Sequence, residues 1–218
     1  SKPKEVLLNN TLPTINLVNR YENSKTKFVF ASTCEIFNGA IDNGIYKIPT
    51  DENVPIMFED ITNPRWSYSI PKALGENLIS NSGLEWLILR FFNIYGPGQK
   101  DHFISEFATR AIKGDYYIVG NDTRSFCFID DAINISHKLI KSVSNEIINV
   151  GFEKENKISD VAEIILDILG IDSNKLEILP SPKGSVSRRC PDVSKMKSRI
   201  NYNSYTDLRK GLEITLKE

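Results

Sequence analysis

The chain has 218 residues, of which 40% are hydrophobic and 25% are charged, and its formal net charge is -1 at pH 7. This length and composition predict a globular protein with one core, or one core and a small lobe. Because the sequence holds no long block of like charge, a nucleic-acid partner has no electrostatic support. We therefore expect a small-molecule partner.

The sulfur and imidazole side chains favour neither a disulfide framework nor a zinc site. The three cysteines are an odd number without CxxC spacing, and the two histidines, His102 and His137, lie far apart. This cysteine usage is typical of a reducing compartment. No apolar run approaches the roughly 18 residues of a membrane span, and the first residues lack the apolar segment of a signal peptide. We expect a cytoplasmic protein with no membrane association.

The first predicted elements are a helix, a strand and a long loop. Apolar residues within 10–22 recur on one helical face, and Pro13 is tolerated only in a first turn, so the helix should begin near residue 10. Residues 27–33, KFVFAST, form an apolar run typical of a strand buried in a parallel sheet. Residues 38–66 are polar and aperiodic, which predicts a functional loop or lid.

A second strand follows a second helix. The helical pattern runs from Ser69 to Ser80, and residues 86–92 then form another apolar run that ends in glycine and proline. Strand, helix and strand in this order predict a βαβ unit of a parallel sheet with right-handed crossovers.

Further elements are predicted downstream. A helix should close at Gly114, and a short strand should lead into a helix capped by Asp130 or Asp131. The segment EIINVG should form one more buried strand.

The last part of the chain predicts a small lobe. An amphipathic helix should begin at Ser159 as its N-cap and stop at Gly170. From about Leu176 the sequence is charged and rich in loops, and it ends in a helical pattern.

Tyr68 and Lys72 are the first candidates for chemistry. Residues at i and i+4 share a helix face, so the ammonium can approach the phenol, stabilise the phenolate and lower its pKa. Such pairs also arise by chance. Here the pair opens a helix, and the preceding strand ends in the hydroxyls and carboxylate of ASTCE, at the edge where open α/β sheets bind ligands.

Five segments in order, FVFASTCEIFNG, PRWSYSIPKALGE, LRFFNIYGPG, TRSFCFIDDA and SRRCPDVSK, give the chain its resemblance to a family. The sequence resembles the extended short-chain dehydrogenases/reductases, namely NAD-dependent nucleotide-sugar epimerases, dehydratases and decarboxylases. The resemblance implies an α/β fold with a partial Rossmann-type, doubly wound parallel sheet. Residues 1–98 would be the C-terminal part of the NAD-binding domain and residues 99–218 mainly a nucleotide-sugar lobe, with a strand near 147–150 returning to the sheet.

The resemblance also implies roles for the residues around the tyrosine. Tyr68 would take the proton of a sugar hydroxyl while NAD takes the hydride, and Lys72 would hold the cofactor ribose and lower the Tyr68 pKa. Thr33 would bind the reacting oxygen, and Ser32 would lie against the cofactor.

Residues 33–35 carry information about the reaction. Dehydratases of the family have Thr-Asp-Glu there and nucleotide-glucuronate decarboxylases have Thr-Ser-Glu, whereas this chain has Thr33-Cys34-Glu35. Glu35 could act as a base on the hydrogen acidified by a 4-ketone. A thiol is a poor substitute for the dehydratase acid, and Arg65 before the tyrosine also resembles the decarboxylases, where it would face a sugar carboxylate.

Three further residues match substrate-binding positions of the family. Asn93 would lie at the sugar and diphosphate, and Arg124 and Arg189 would hold the diphosphate with their forked guanidinium groups. Arg188 is expected to face solvent.

The glycine-rich turn that receives the NAD pyrophosphate in this family has no match in the sequence. We therefore expect a fragment, or a partner chain that supplies the rest. The best hypothesis is a decarboxylase acting through a 4-keto sugar, with a 4,6-dehydratase or an epimerase as alternatives. A hypothesis of another class is a non-catalytic remnant that binds nucleotide sugars or associates with a subunit. The family commonly forms homodimers through the Tyr68 helix and its neighbour.

Overall fold

The computed structural model describes residues 2–181 and 188–217. The α-helices in this part of the chain are α1 (Pro3–Tyr21), α2 (Asn38–Asp42), α3 (Trp66–Ser80), α4 (Phe103–Ile112), α5 (Ile129–Ser142), α6 (Ile158–Ile168), α7 (Ser194–Ile200) and α8 (Leu208–Leu216). The strands are β1 (Lys27–Thr33), β2 (Glu85–Phe91), β3 (Ile94–Tyr95), β4 (Tyr117–Val119), β5 (Thr123–Ser125), β6 (Cys127–Phe128), β7 (Glu146–Val150), β8 (Glu155–Lys157), β9 (Glu177–Leu179) and β10 (Arg188–Arg189).

A parallel sheet in the order β1-β2-β7 forms the centre of the fold. In its register, Thr33 lies opposite Phe91, and Phe91 lies opposite Val150, so the carboxyl ends of the three strands meet at one edge. The α/β prediction is confirmed. The strands predicted at 27–33 and 86–92 correspond to β1 and β2, and EIINVG contains β7, which pairs with β2.

Helices cover both faces of this sheet. On one face, Phe30 and Ile88 pack with side chains of α1 and α3. On the other face, Leu87 and Leu89 pack with side chains of α5 and α7. Successive residues of a strand point to opposite faces, so both faces of β2 are apolar. Burying each such side chain stabilises the fold by about 1.5–3 kcal/mol.

A second core lies beneath the C-terminal part of the chain. It joins the buried faces of α4, α6 and α8 to aromatic side chains that precede α5. Above it lies a small mixed sheet in the order β10-β5-β8, in which β10 is parallel to β5 and β8 is antiparallel to it. This small sheet faces the carboxyl edge of the central sheet across the cavity described below.

An ion pair is buried between α3 and β2. The Arg90 Nε and Nη2 atoms donate to the two carboxylate oxygens of Glu76 over 2.9 and 2.8 Å, and both side chains are at most 4% exposed. Arg90 Nη1 also donates to the carbonyl oxygen of Glu52 over 3.1 Å. The pair therefore ties α3 and the loop after α2 to the central strand.

The first helix begins earlier than the sequence predicts. α1 starts at Pro3 and contains Pro13 in its interior, although proline removes one helical hydrogen bond there. The Thr14 hydroxyl donates to the Asn10 carbonyl over 3.1 Å, and Thr14 and Val18 are buried. Packing of this face against α3 outweighs the local preference, as is usual for helices within folded proteins.

The predicted helix caps are wrong in two places. The helix after β6 begins at Ile129, and Asp131 instead accepts hydrogen bonds from the Tyr202 hydroxyl and the Thr206 amide over 2.8 and 2.9 Å. In α6 the N-cap is Lys157, and the amide of Ser159 donates to the side chain of Asn121 over 3.1 Å.

The long polar segment after β1 is only partly irregular. Cys34–Phe37 form a turn of 3-10 helix, and α2 follows it directly. The irregular loop proper therefore begins after Asp42 and ends at α3. Among residues 2–181 and 188–217, none of the helices has both the length and the apolar character that a bilayer crossing requires.

Candidate active site

A cavity of about 790 Å³ opens at the carboxyl edge of the central sheet. Its walls come from the ends of β1 and β2, the start of α3, the start of α4 and the small sheet. Eight of the residues predicted from sequence line it, namely Thr33, Cys34, Glu35, Arg65, Tyr68, Asn93, Arg124 and Arg189. Ser32 and Lys72 are not part of its lining.

Thr33 connects the strand end to the tyrosine. It is the N-cap of the 3-10 helix, and its side-chain oxygen accepts a hydrogen bond from the Glu35 amide over 3.2 Å. The same hydroxyl is also near enough to the Tyr68 phenol to lower its pKa by stabilising the phenolate. The strand end therefore fixes one hydroxyl beside the group that was predicted to move a proton.

The pKa of Tyr68 is shifted in the direction opposite to the sequence prediction. Burial raises it, the neighbouring ionisable groups of Cys34 and Glu35 raise it further, and the Thr33 hydroxyl lowers it. The net direction is upward, because partial removal from water penalises the phenolate, although Tyr68 remains 41% exposed. At neutral pH the phenol therefore holds its proton.

Lys72 lies on the same helix, one turn beyond Tyr68. Its Nζ atom donates to the carbonyl oxygen of Ala31 over 3.0 Å and lies 5.6 Å from the centroid of the Tyr68 ring. Burial lowers the Lys72 pKa. The ammonium thus anchors α3 to β1 and lies beside the ring of Tyr68.

Glu35 is held by two partners. Its carboxylate forms an ion pair with Arg189 and accepts a hydrogen bond from Asn38 Nδ2 over 2.5 Å. Between Thr33 and Glu35, the Cys34 thiol is buried, and this burial raises its pKa to about 12. The cavity therefore contains a fixed carboxylate and a neutral thiol on adjacent residues.

The two predicted diphosphate ligands lie side by side. Arg124 of β5 and Arg189 of β10 are direct partners in the parallel register of the small sheet. Burial, followed by the charge of Arg189, lowers the pKa of Arg124. Two guanidinium groups crowded in a partly buried wall attract an anion, since an anion relieves their mutual repulsion. Ser187, at the start of this predicted motif, lies outside the described residues.

Arg188 points elsewhere, as the sequence predicts. Its Nε and Nη2 atoms donate to the two carboxylate oxygens of Glu155 over 3.0 and 2.6 Å. Successive residues of a strand face opposite sides, so Arg188 is directed away from the cavity that Arg189 lines.

Arg65 enters the cavity from the N-cap of α3. Its guanidinium carbon lies 4.3 Å from the centroid of the Trp66 ring, and its Nη2 atom lies 3.6 Å from Asp42 Oδ2. The side chain is therefore supported by an aromatic face and by a carboxylate.

Asn93 is placed by an unusual backbone conformation. Its φ is 38°, in the left-handed region that asparagine tolerates better than most residues. Its Nδ2 atom donates to the Ser125 carbonyl over 3.0 Å, and its own carbonyl accepts from the Cys127 amide over 3.3 Å. Asn93 thereby joins the end of β2 to the strands that carry Arg124.

Ser32, predicted to lie against the cofactor, is engaged in the buried ion pair and is outside the cavity lining. Its hydroxyl donates to Glu76 Oε1 over 2.6 Å within the buried ion pair, and the residue is 3% exposed. Side chains of successive strand residues alternate, so Thr33 and Ser32 face opposite sides of the sheet.

The structure adds cavity residues that sequence reasoning missed. They follow the end of β2 or lie near the small sheet, and they include Gln99, His102, Phe103, Val119, Asp122 and Phe126. The sequence assigned no role to His102, which was considered as a zinc ligand and set aside. One available signal was its position shortly after a strand that ends in glycine and proline, where a cavity-facing turn is expected.

The same edge of the sheet has side chains that suit a nicotinamide cofactor. Tyr68 and Lys72 bring a phenol and an ammonium group to the carboxyl end of β1. An ammonium group can donate hydrogen bonds to ribose hydroxyls, and a phenol can exchange a proton with a sugar hydroxyl. Within the described ranges, no three His, Cys, Asp or Glu side chains are grouped to hold a metal ion.

Comparison with known proteins decides the family. The model of the NAD dependent epimerase/dehydratase family matches residues 1–151. The chain belongs to this family. A UDP-N-acetyl-alpha-D-glucosaminuronate decarboxylase of Bacillus cytotoxicus is 31% identical over 232 residues, covering 99% of this chain and 70% of the relative. A UDP-glucuronic acid decarboxylase of Danio rerio is 25% identical, and the chain covers 52% of its length.

Solved structures of family members share the fold. A UDP-glucose 4-epimerase of Thermotoga maritima, solved with UDP-glucose, superposes with a TM-score of 0.84 at 23% identity, covering 99% of this chain and 71% of that one. A UDP-glucuronic acid 4-epimerase of Bacillus cereus, solved with UDP-glucuronic acid and NAD, gives 0.80 at 25% identity, covering 96% and 66%.

Proposed function

We propose that the protein is a nucleotide-sugar enzyme that decarboxylates a UDP-hexuronate through a 4-keto intermediate. The observation that carries this proposal is one cavity lined by Tyr68, the Thr33-Cys34-Glu35 turn and the guanidinium groups of Arg65, Arg124 and Arg189. Tyr68 and the Thr33-Cys34-Glu35 turn suit oxidation at a sugar carbon. The arginines suit a ligand that carries a diphosphate and a carboxylate.

The cofactor in this proposal is NAD, held at its nicotinamide ribose by Tyr68 and Lys72. When bound, NAD accepts the hydride from C4 of the sugar and can return it. The family and its NAD-bound member of known structure support this choice.

Tyr68 moves the proton of the 4-hydroxyl in this proposal. Its upward-shifted pKa favours the protonated form, which suits the return of a proton to the 4-oxygen during reduction. Oxidation needs the phenolate, and the Lys72 ammonium on the same helix face is the cation that would stabilise it. Thr33 orients both the phenol and the reacting oxygen.

Loss of carbon dioxide then needs little help. A uronate oxidised at C4 is a β-keto acid, so the bond between C5 and the carboxyl carbon breaks with its electrons delocalised into the ketone. A proton from solvent then adds at C5 in place of the carboxyl group, and we assign its relay to Glu35, which lines the cavity beside Arg189 and Asn38.

The cysteine argues against a dehydratase. That reaction needs an acid to protonate the departing 6-hydroxyl. Because burial raises the pKa of Cys34 to about 12, its thiol is too weak an acid for this step. Decarboxylation makes no such demand on the residue between Thr33 and Glu35.

Product analysis tests the proposal. The protein is incubated with UDP-glucuronate and NAD, and carbon dioxide and the nucleotide sugar are measured. We expect release of carbon dioxide and formation of a UDP-pentose. A UDP-hexuronate inverted at C4 would identify an epimerase instead, and a 4-keto-6-deoxy sugar from a UDP-hexose would identify a dehydratase. Binding without any turnover would favour the non-catalytic alternative.

We further propose a homodimer built on α1 and α3, as in the family resemblance. The two helices pack against each other, and the exposed fractions of Leu8, Leu12 and Leu74 on them are 43%, 50% and 43%.

A cytoplasmic location is supported by Cys34, Cys127 and Cys190, which are buried and unpaired.

A further inference from the structure

Asp42 is a buried carboxylate that the proposed reaction does not use. It is the last residue of α2, where the helix dipole disfavours a negative charge. Both of its carboxylate oxygens are inaccessible to solvent and have no hydrogen-bond partner among the described residues. A buried carboxylate without hydrogen bonds is costly, so its position calls for a compensating charge.

Arg65 supplies that charge. The Arg65 Nη2 atom lies 3.6 Å from Asp42 Oδ2, and the two side chains are 27% and 13% exposed. The guanidinium group of Arg65 also packs on the Trp66 ring. That ring packs edge-on against Phe58, with 5.4 Å between the ring centroids. The guanidinium plane is thus restrained from two directions.

The three arginines of the cavity each have a carboxylate within 4.0 Å, but Asp42 differs from the other two acids. Glu35, beside Arg189, and Asp122, beside Arg124, both line the cavity and can meet a ligand directly. Asp42 is outside the lining. Asp42 therefore has no direct contact with a ligand in the cavity, and the nearest cavity cation through which it can act is Arg65.

We propose that Asp42 is a positioning residue that orients the Arg65 fork, so that the cavity prefers a sugar carrying a carboxylate to a neutral sugar. This inference rests on the proposed function, and it deepens it by naming the pair of residues that determines the choice of sugar. Burial raises the pKa of the Asp42 carboxyl, and the charge of Arg65, followed by that of Arg189, opposes this shift, so Arg65 is the largest influence that keeps the group ionised. A guanidinium group held in one orientation can donate two parallel hydrogen bonds to a carboxylate. A guanidinium group that samples several orientations forms this bidentate contact less often.

The test compares three ligands by titration calorimetry: UDP, UDP-glucose and UDP-glucuronate. In Asp42→Asn, which keeps the shape and removes the charge, we expect the preference for UDP-glucuronate over UDP-glucose to fall about tenfold, since the misoriented Arg65 fork loses one charge-assisted hydrogen bond to the sugar carboxylate. The affinity for UDP should stay within about twofold of wild type, because the arginines of the small sheet are untouched. Asp42→Glu keeps the charge and should recover most of the preference.

Glu59→Gln is the matched control. Glu59 lies on the loop that follows α2, is exposed and accepts a hydrogen bond from Asn43 over 2.6 Å. Its charge raises the pKa of Asp42, so its loss should not lower the preference. If Asp42→Asn fails to fold, Arg65→Lys takes its place. That variant keeps the positive charge, loses the fork, and should lose the preference while retaining the affinity for UDP.

The outcomes separate the inference from the proposed function. If wild type prefers UDP-glucuronate and Asp42→Asn keeps that preference, the positioning role is wrong and the proposed function stands. If Asp42→Asn loses affinity for all three ligands equally, Asp42 shapes the whole cavity and the inference is also wrong. If wild type shows no preference for UDP-glucuronate, recognition of a carboxylate by Arg65 fails, and the inference fails with it.

Discussion

Arg90→Met removes one partner of the buried ion pair that holds α3 in place. Arg90 is 3% exposed and donates two hydrogen bonds to Glu76, which also accepts the Ser32 hydroxyl. After the substitution the Glu76 carboxylate stays buried, and of its three hydrogen bonds from Arg90 and Ser32 only the one from Ser32 remains. Breaking a buried pair in this way costs about 3–5 kcal/mol. At about 2–4 °C per kcal/mol for a chain of this size, the melting temperature should fall by about 6–20 °C.

Urea denaturation followed by circular dichroism measures this cost. The matched control is Arg209→Met, because Arg209 pairs with Asp167 over 2.7 Å while their side chains are 48% and 65% exposed. Exposed pairs contribute about 0–1 kcal/mol, so this control should be nearly neutral. The double variant Arg90→Met/Glu76→Gln should regain part of the loss, since no charge then remains buried. A cost for Arg90→Met no larger than that of Arg209→Met would refute the reasoning.

Four other predictions concern α3 and the turn that follows β1. Gly75→Ala should destabilise the fold by about 1–3 kcal/mol in thermal denaturation, because its Cβ would lie 2.5 Å from Cζ of Phe30, and an unchanged melting temperature would contradict this contact. The Cys34 thiol, with its pKa raised to about 12, should resist alkylation at neutral pH until urea is added; equal labelling rates with and without urea would show that it is accessible. A raised pKa means that the unfolded chain loses the thiol proton first, so stability should decline as pH rises above 9.0 towards 12. Tyr68→Phe should lower turnover about 10²–10⁴-fold and leave nucleotide-sugar affinity nearly unchanged; wild-type turnover would remove Tyr68 from the mechanism.

The elements with strong local patterns were predictable from the sequence. The apolar run 27–33 corresponds to β1, and the Tyr68 helix follows it at the predicted place. Buried parallel strands show such continuous apolar runs, so their positions can be predicted without tertiary information. The start of α1 and the N-cap of α6 depend on contacts with distant residues, which a local pattern does not contain.

The candidate site also has features that were predictable from sequence and features that depend on tertiary packing. Motif resemblance selected residues that the fold brings into one cavity, although they come from positions 33 to 189 of the chain. The pKa of Tyr68 was predicted in the wrong direction because helical spacing indicates only that Lys72 is near. The burial that dominates the pKa, and the bond from Lys72 to Ala31, follow from the packing of α3 on β1. Asp42 could not be singled out, since its partner Arg65 lies beyond a long loop.

The central claim is that the paired arginines of the small sheet bind a nucleotide diphosphate sugar. The most direct measurement is calorimetric titration of UDP-glucuronate into wild type, Arg189→Met and Arg188→Met. Arg189 lines the cavity, whereas Arg188 is bound to Glu155 on the other side of the strand. We predict that Arg189→Met weakens binding about 10–100-fold, from the loss of charge-assisted hydrogen bonds, while Arg188→Met stays within about twofold of wild type. Equal effects of the two variants, or no binding to wild type, would contradict the account.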